Sequence, residues 1–250
     1  MTVFHSDLDN TLIYSYKHEI GIKKKCVEIY QGREISFMTS QSYQLLKKVV
    51  KKVLFVPTTT RSIEQYERID LGIGVPKYAL VCNGGILLEH GVKDFNWYQE
   101  SKLLVSDCKG ELQKAQKILA KDENRNFEIR NIEQLFLFTK SLQPEKTTAQ
   151  LQSNLNLLLV DVLSHGAKVY VIPKKLNKGT AMKRFKKKVT ADIVIAAGDS
   201  EFDVPMFQEA DFALAPKELQ SEHIRNKNLQ YIETDRRFSD DMLTYINTMY

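Results

Sequence analysis

Short apolar runs alternate with amphipathic stretches near both ends of the chain. The amphipathic stretches at residues 42–50 and 239–249 place apolar side chains on one helical face, and Ser239 is a suitable N-cap for the second helix. Because strands that alternate with helices form parallel sheets covered on both faces, the pattern predicts an α/β fold. The predicted strands lie at residues 3–5, 53–56, 78–82, 193–197, 212–214 and 229–232.

The middle of the chain has a different pattern, with strand-like runs next to one another. This arrangement favours an α+β layer built on an antiparallel sheet. We therefore expect one domain formed by residues 1–84 and 167–250, and a second domain inserted at residues 85–166. The middle has predicted strands at residues 95–98, 127–129, 135–139 and 168–172, and predicted helices at residues 102–120 and 147–164.

A hairpin is predicted between the first strand and the first helix. Residues 27–30 and 35–38 have the composition of strands, and they flank a short segment that contains Gly32. Glycine reaches the positive φ angles that tight turns between antiparallel strands need. We expect this hairpin to project over the carboxyl edge of the parallel sheet.

The composition is that of a globular protein, since 43% of the 250 residues are hydrophobic and 27% are charged. The formal net charge of +5 favours anionic substrates but is too weak for the basic stripe of a nucleic-acid binder. In the lysine-rich stretch at residues 183–188, the spacing of Met182, Phe185 and Val189 predicts that the lysines lie on a solvated helix face. A site for a polyanion is the alternative.

The cysteines are too far apart in sequence for a zinc site or a disulfide framework. They lie at Cys26, Cys82 and Cys108, and reduced thiols are the simplest interpretation. The N-terminus lacks a signal-peptide pattern, and no apolar run reaches the length of a membrane span. We therefore predict a cytoplasmic protein without a membrane partner. The sequence does not indicate an oligomeric state.

Two carboxylates directly follow the first predicted strand, in the segment from Asp7 through Asp9 to Thr11. Open α/β sheets bind ligands at the carboxyl ends of their strands, which favours a functional interpretation. Aspartate and asparagine are also common in turns, so a purely structural turn is the alternative.

A second acidic segment follows the predicted strand at residues 193–197. Ser200 and Asp203 are spaced as a capping box for the next helix, but this motif leaves Asp199 without a role. Asp199 would lie beside Asp7 and Asp9 if both strands belong to one parallel sheet. Clustered carboxylates repel one another unless a cation neutralises them, and oxygen ligands of this kind suit Mg²⁺.

Two further segments could bind a phosphate group. Thr58, Thr59, Thr60 and Arg61 follow a predicted strand, where hydroxyl and backbone N–H groups can surround an anion. Lys178 precedes a glycine at the start of a predicted helix and could hold a phosphate oxygen. Each of these segments is weak evidence when taken alone.

In order, the four segments resemble the sequence motifs of the haloacid dehalogenase (HAD) superfamily. The motifs are DxDNT at Asp7, threonine at Thr59, Lys-Gly at Lys178, and GDSxxD around Asp199. The resemblance implies a phosphatase with a Rossmann-like parallel-sheet core and an inserted α+β (type-2) cap. By this resemblance, Asp7 attacks phosphorus and forms an aspartyl-phosphate, and Asp9 protonates the leaving group and then activates water.

The resemblance also implies a ligand set for Mg²⁺ and for the phosphoryl group. Mg²⁺ would be held by Asp7, the Asp9 backbone carbonyl and Asp199. Asp203 would support the metal through water or orient the lysine of the third motif. The phosphoryl oxygens would be held by Thr59 and Lys178.

The substrate implied is a small phosphorylated metabolite, such as a sugar or nucleotide phosphate, with Thr60, Arg61 and Asn83 on the substrate side. Residues around Asn83 resemble the Cof-like branch, and the stretch from Thr59 loosely resembles HAD proteins associated with tellurium-resistance gene clusters. Thr60 and Phe202 stand where that branch usually has glycine and asparagine, which affects the substrate more than the catalytic acids. A phosphomutase, or a phospholigand-binding module without turnover, is the alternative.

Overall fold

The structure, a computed structural model, describes residues 1–219, 226–233 and 237–249. The chain divides into two compact units. The first consists of Met1–Asp94 and Lys178–Tyr250, and the second of Phe95–Asn177. In the described part of the chain, no helix combines the length and the apolar character needed to cross a membrane.

Strands and helices are numbered in chain order. The strands are β1 (Thr2–Ser6), β2 (Tyr14–Ser15), β3 (Lys24–Tyr30), β4 (Arg33–Thr39), β5 (Leu54–Pro57), β6 (Tyr78–Val81), β7 (Ile86–Glu89), β8 (Val92–Lys93), β9 (Arg130–Ile132), β10 (Phe136–Lys140), β11 (Val160–His165), β12 (Lys168–Pro173), β13 (Ile193–Ala197), β14 (Phe212–Pro216) and β15 (Leu229–Ile232). The helices are α1 (Ser40–Val49), α2 (Ile63–Glu67), α3 (Phe95–Leu104), α4 (Lys109–Ala120), α5 (Pro144–Asn154), α6 (Lys178–Val189), α7 (Val204–Glu209) and α8 (Phe238–Met249).

A five-stranded parallel sheet forms the centre of the first unit, in the order β15-β14-β13-β1-β5. Its central strands are apolar and buried along nearly their whole length, as strands covered on both faces should be. Ser6 pairs with Ala197 on one side and with Pro57 on the other. These three strands therefore end at the same edge of the sheet. The predicted α/β fold with a parallel sheet is confirmed.

The predicted strand at residues 78–82 is β6, which lies parallel beside the end of β5 through a single bridge between Thr58 and Leu80. β6 pairs with β7 in an antiparallel sheet that also contains β8. The chain reverses direction between β6 and β7 because Cys82, Asn83 and Gly84 have φ angles of 53°, 57° and 82°. This left-handed turn brings β7 back along β6, so β6 has a parallel neighbour on one side and an antiparallel neighbour on the other.

The helices of the first unit follow the predicted amphipathic stretches. Met182 of α6 and Phe207 of α7 share a buried cluster with Val194 and Ala196 of β13. Helix α1 begins after Thr39, whose side chain accepts a hydrogen bond from the Ser42 backbone N–H. Helix α8 begins at Phe238, so the prediction of Ser239 as its N-cap was wrong. The Ser239 hydroxyl is instead buried and accepts a hydrogen bond from Ser42.

The predicted hairpin is confirmed as β3 and β4, which pair antiparallel with β2 beside β4. Gln31 and Gly32 form the turn with φ angles of 50° and 74°. The lysine-rich stretch lies on α6, where Met182 and Phe185 are buried and Lys187 is exposed. Lys183, Lys186 and Lys188 form ion pairs with acidic residues of the first unit, which supports the solvated-face interpretation.

The second unit is an α+β layer, as predicted. Its antiparallel sheet has the order β11-β12-β10-β9. Alternating side chains of these strands, such as Leu137, Val169 and Val171, pack against Leu112 of α4 and Leu151 of α5 in one buried cluster. This cluster is the hydrophobic core of the unit.

Four element predictions in this unit were wrong. Residues 95–98 begin helix α3, because Trp97 and Ser101 are buried at helical spacing. The predicted helix at 102–120 is interrupted by a 3₁₀ turn at Ser106–Cys108. The strand expected at residues 127–129 lies at Arg130–Ile132. The helix expected at 147–164 ends at Asn154, and β11 follows with Val160 and Val162 buried in alternation.

The second unit begins at Phe95 and ends at Asn177, whereas the predicted insertion spans residues 85–166. Strand pairing accounts for the difference. β7 pairs with β6 and therefore stays with the first unit, while β12 pairs with β10 and β11 in the second.

Candidate active site

Three of the predicted motifs meet at the carboxyl edge of the parallel sheet. Asp7 follows β1, and its backbone N–H donates to the Ala197 carbonyl at 2.9 Å. On the other side of β1, the Thr58 N–H donates to the Ser6 carbonyl at 2.8 Å. These backbone bonds extend the sheet pairing by one residue and hold the segments after β1, β5 and β13 side by side.

Lys178 supplies a buried positive charge at this edge. It is the first residue of α6, and only 1% of its side chain is exposed. Its Nζ donates to Asp7 Oδ1 at 2.5 Å and to Asp203 Oδ1 at 2.6 Å. A Cβ added at Gly179 would lie 2.1 Å from the Pro205 carbonyl oxygen, so glycine permits the close approach of α6 and α7.

Asp203 organises the loop after β13. Its Oδ2 accepts hydrogen bonds from the Asp199 N–H at 3.0 Å, the Ser200 N–H at 3.1 Å and the Ser200 hydroxyl at 3.0 Å. The expected capping box was wrong, because α7 begins at Val204 and Asp203 occupies its N-cap position without a side-chain cap bond. The carboxylate of Asp203 is turned back to the loop and to Lys178.

Asp199 lies next to these groups and is partly buried. The Thr11 hydroxyl donates to its Oδ1 at 2.9 Å, a contact that the sequence pattern did not reveal. Burial raises the pKa of Asp199 to about 7, and the negative charge of Asp203 adds to the effect. Thr11 and Lys178 oppose this rise only in part.

Asp7, Asp199 and Asp203 could together hold a cation. Each offers one carboxylate oxygen within 4.8 Å of the others, and they form the metal-type cluster found among the described residues. Burial raises the pKa of Asp7, and Lys178 opposes that rise. Three carboxylates and one lysine leave two uncompensated negative charges, so a divalent cation would neutralise the site.

The charge of Lys178 is stabilised despite its burial. Burial disfavours the ammonium form, but the carboxylates of Asp203 and Asp7 outweigh it and raise the pKa above the ordinary lysine value. Lys178 therefore stays charged at neutral pH, in contact with both carboxylates.

The threonine segment contributes neutral polar groups. Thr59 is fully buried, and its hydroxyl accepts a hydrogen bond from the Arg61 N–H at 3.2 Å. The Asn83 N–H donates to the Thr59 carbonyl at 2.9 Å, which brings these two predicted site residues together. Thr60 is half-buried between Thr59 and Arg61.

Arg61 forms an ion pair with Asp9. Its Nε and Nη2 donate to the two carboxylate oxygens of Asp9 at 2.8 and 2.7 Å, and its Nη1 donates to Glu28 at 2.9 Å. Burial lowers the pKa of Arg61, but Asp9 and Glu28 outweigh this and raise it further above its usual value. Glu28 was missed in the sequence, where a single acid among the apolar residues of a hairpin gave no indication of function.

Comparison with known proteins identifies the family of the chain and proteins of similar fold. A family model described as haloacid dehalogenase-like hydrolase matches residues 86–222, which is more than half of the chain. No curated relative matches the sequence. Since the likeness to solved structures is at low sequence identity, it concerns the fold alone.

Three solved structures illustrate the likeness. Sucrose-phosphatase from Synechocystis sp. has a TM-score of 0.66 and 16% identity, covering 98% of this chain and 96% of that chain. A haloacid dehalogenase-like hydrolase from B. subtilis has a TM-score of 0.61 and 14% identity, with 100% of both chains covered. One from Bacteroides thetaiotaomicron has a TM-score of 0.61 and 13% identity, covering 100% and 99%. The chain belongs to the haloacid dehalogenase-like hydrolase family.

Proposed function

We propose that the chain is a phosphomonoester hydrolase in which Asp7 is the nucleophile. The observation that carries this proposal is the buried contact between Lys178 Nζ and the carboxylates of Asp7 and Asp203, at 2.5 and 2.6 Å. A lysine that contacts the nucleophile in this way also reaches the oxygens of a phosphoryl group bound to it. Membership of a hydrolase family supports the same conclusion.

The proposed reaction has two displacements at phosphorus. An Asp7 oxygen attacks phosphorus and the bond to the leaving oxygen breaks, while Asp9 gives its proton to that oxygen. Water then attacks the aspartyl-phosphate, Asp9 takes a proton from this water, and inorganic phosphate leaves Asp7 as a free carboxylate. Lys178 and Thr59 contact the phosphoryl oxygens throughout.

We propose Mg²⁺ as the cation of this site. The donor set fits, because it consists of carboxylate oxygens with two negative charges in excess. Asp7, Asp199 and the Asp9 backbone carbonyl would hold the ion. Both oxygens of Asp203 already accept hydrogen bonds, so we assign Asp203 to the orientation of Lys178. When bound, Mg²⁺ supplies positive charge to the phosphoryl oxygens.

The proposed substrate is a small phosphorylated metabolite, with sugar phosphates as the first class to test. Likeness in fold to a sucrose-phosphatase solved with sucrose and phosphate supports this choice. Thr60 and Asn83 remain our proposed contacts on the substrate side. We also retain the second unit as the proposed cap domain. The three cysteines, all within the described residues, form no disulfide, which supports our proposal of a protein of the cytoplasm.

The test is release of inorganic phosphate from a panel of sugar and nucleotide phosphates and from p-nitrophenyl phosphate. Wild-type protein with Mg²⁺ should release phosphate, and EDTA should abolish the release. Isomerisation without release of phosphate would instead indicate a mutase.

Two matched variants assign the roles of the carboxylates. Asp7→Asn should form no phospho-enzyme with any ester, whereas Asp9→Asn should accumulate it after a burst of nitrophenol, because water lacks its base. Mass spectrometry of acid-quenched protein locates the phosphoryl group. Turnover by Asp7→Asn, or a phosphoryl group on Asp9, would overturn the assignment.

A further inference from the structure

A buried network of charges lies behind the proposed proton donor. The guanidinium of Arg61 donates one hydrogen bond to each carboxylate oxygen of Asp9, at 2.8 and 2.7 Å. Such a fork fixes the plane of a carboxylate as well as its position. The side chain of Asp9 remains 45% exposed, and the two hydrogen bonds from Arg61 restrain its rotation.

Glu28 in turn restrains Arg61. Its carboxylate is fully buried and accepts hydrogen bonds from Arg61 Nη1 at 2.9 Å, the Ser36 hydroxyl at 2.6 Å and Arg68 Nε at 3.0 Å. Two carboxylates and two guanidinium groups make the network neutral. Burying a charged group costs free energy unless each partner is satisfied, as these contacts achieve for Glu28.

The backbone of the hairpin is shaped to present Glu28 to Arg61. Glu28 pairs with Ser36, and the register of the β3–β4 ladder shifts on both sides of this pair. The strict alternation of side chains is therefore broken at Glu28. As a result, Val27 and Glu28 are both buried in succession. Bulges of this kind re-aim single side chains and are common next to active sites. A backbone bridge from Glu28 to Ile69 anchors the strand beyond α2.

We propose that Glu28 is a positioning residue that acts through Arg61 to hold Asp9 in the orientation needed for proton transfer to the leaving group. This inference rests on the proposed function, because it presupposes that Asp9 delivers that proton. Glu28 itself does not contact Asp7 or Lys178 in the network described. Without Glu28, Arg61 Nη1 would retain its contact to the Gln65 carbonyl at 3.2 Å but lose its charged partner, so the guanidinium would hold the plane of the Asp9 carboxyl less firmly.

The test compares Glu28→Gln with Glu34→Gln, an exposed glutamate on the same hairpin. For each protein, kcat/KM is measured on p-nitrophenyl phosphate and on the sugar phosphate that the wild type hydrolyses fastest in the panel. Nitrophenolate leaves without a proton, whereas a sugar alkoxide needs one. Since acid help is worth about 10²–10⁴-fold, Glu28→Gln should lower the sugar-phosphate value by about 10–100-fold and the aryl value by less than about threefold.

The ratio of the two values separates positioning from folding. A partly unfolded variant loses both activities by the same factor, which leaves the ratio unchanged. Arg61→Lys, which keeps the charge and loses the fork, should change the ratio in the same direction and provides the test if Glu28→Gln does not fold. Glu34→Gln should match the wild type.

An unchanged ratio in folded Glu28→Gln, or in Arg61→Lys where Glu28→Gln does not fold, would overturn this inference while leaving the proposed function intact. If the wild type hydrolyses neither ester, the proposed function fails and the inference fails with it. The two failures are therefore distinguishable in one set of assays.

Discussion

His5 is a fully buried histidine on β1, two positions before the proposed nucleophile. Its Nδ1 lies 2.9 Å from the Thr58 hydroxyl, which itself donates to the Val56 carbonyl at 3.1 Å. The Thr58 oxygen is therefore the acceptor, and Nδ1 carries the proton of a neutral ring. The ring also packs edge-on against Phe185 of α6. Burial lowers the pKa of His5 to about 3.

This lowered pKa predicts a dependence of stability on pH. Between about pH 6.5 and pH 3 the unfolded chain binds a proton at His5 and the native state does not, so stability falls as the pH falls through this window. One such group contributes a slope of up to about 1.4 kcal/mol per pH unit. His5→Phe should remove this part of the slope between pH 6 and pH 4, as measured by urea unfolding.

Other titrating groups act in both proteins, so the difference between the two slopes isolates His5. Equal slopes for wild type and His5→Phe would show that His5 is protonated in the native state.

At the scale of elements, the approach of α6 to α7 sets the position of Lys178. Gly179 faces the Pro205 backbone, where an added Cβ would lie 2.1 Å from the carbonyl oxygen and 2.5 Å from the carbonyl carbon. Backbone atoms cannot rotate away as the end of a flexible side chain can. A side chain at this position must therefore push the two helices apart and move Lys178 away from Asp7 and Asp203.

Gly179→Ala should lower both stability and activity. Overpacking of this kind costs about 1–3 kcal/mol in the free energy of unfolding. Because the shift begins beside Lys178, phosphatase activity of the folded fraction should also fall, by about tenfold or more if the lysine loses one charge-assisted hydrogen bond worth about 1.5–3 kcal/mol. Urea unfolding and steady-state assays measure the two effects.

Gly110→Ala is the matched control on a helix. Nothing lies within 4 Å of a Cβ at Gly110, so alanine there should leave activity unchanged. It should match the wild type or exceed its free energy of unfolding by up to about 1 kcal/mol, because alanine has the higher helix propensity. Indistinguishable effects of the two substitutions would contradict the close packing of α6 and α7.

The two units of the chain have separate hydrophobic cores. The first is built around the parallel sheet, and the cluster of Asp7, Asp199 and Asp203 lies in it. The second has its own buried cluster between the antiparallel sheet and α4 and α5. Anything that binds only the native acidic cluster should therefore stabilise the first unit directly.

Mg²⁺ should change hydrogen exchange mainly in the first unit. At a concentration 100-fold above Kd, a ligand specific for the native state contributes about 2.7 kcal/mol to stability. When Mg²⁺ is present, the backbone amide hydrogens of β1 and β13 should exchange with solvent more slowly, while those of β10 and β12 should change less. Mass spectrometry measures the exchange. Asp199→Asn should weaken the effect, and equal protection in both units would contradict a site within the first.

Local patterns were sufficient for the central sheet and for most of the candidate site. Continuous apolar runs indicate strands that are buried on both faces, as at Ile193–Ala197. A strand with one solvated face would instead alternate apolar and polar residues. Once the strands are parallel, their carboxyl ends must meet, so Asp7 and Asp199 were expected as neighbours from sequence. The Gly32 turn likewise identified the hairpin, since its φ of 74° favours glycine.

Tertiary structure decided what local patterns leave ambiguous. Phe95 and Trp97 alternate as in a strand, but burial of Trp97 with Ser101 favours a helix. Glu28 and Arg61 are 33 residues apart, and a bulge in β3 directs the Glu28 side chain towards Arg61. No residue type in the sequence indicates this bulge. The carboxylate of Asp203 fits a cap by its spacing, yet contact with Lys178, 25 residues away, gives it another role. Local sequence was therefore enough to identify which residue types reach the sheet edge. Packing and strand register determined which of those residues touch, because contacts between distant residues depend on backbone geometry rather than on spacing along the chain.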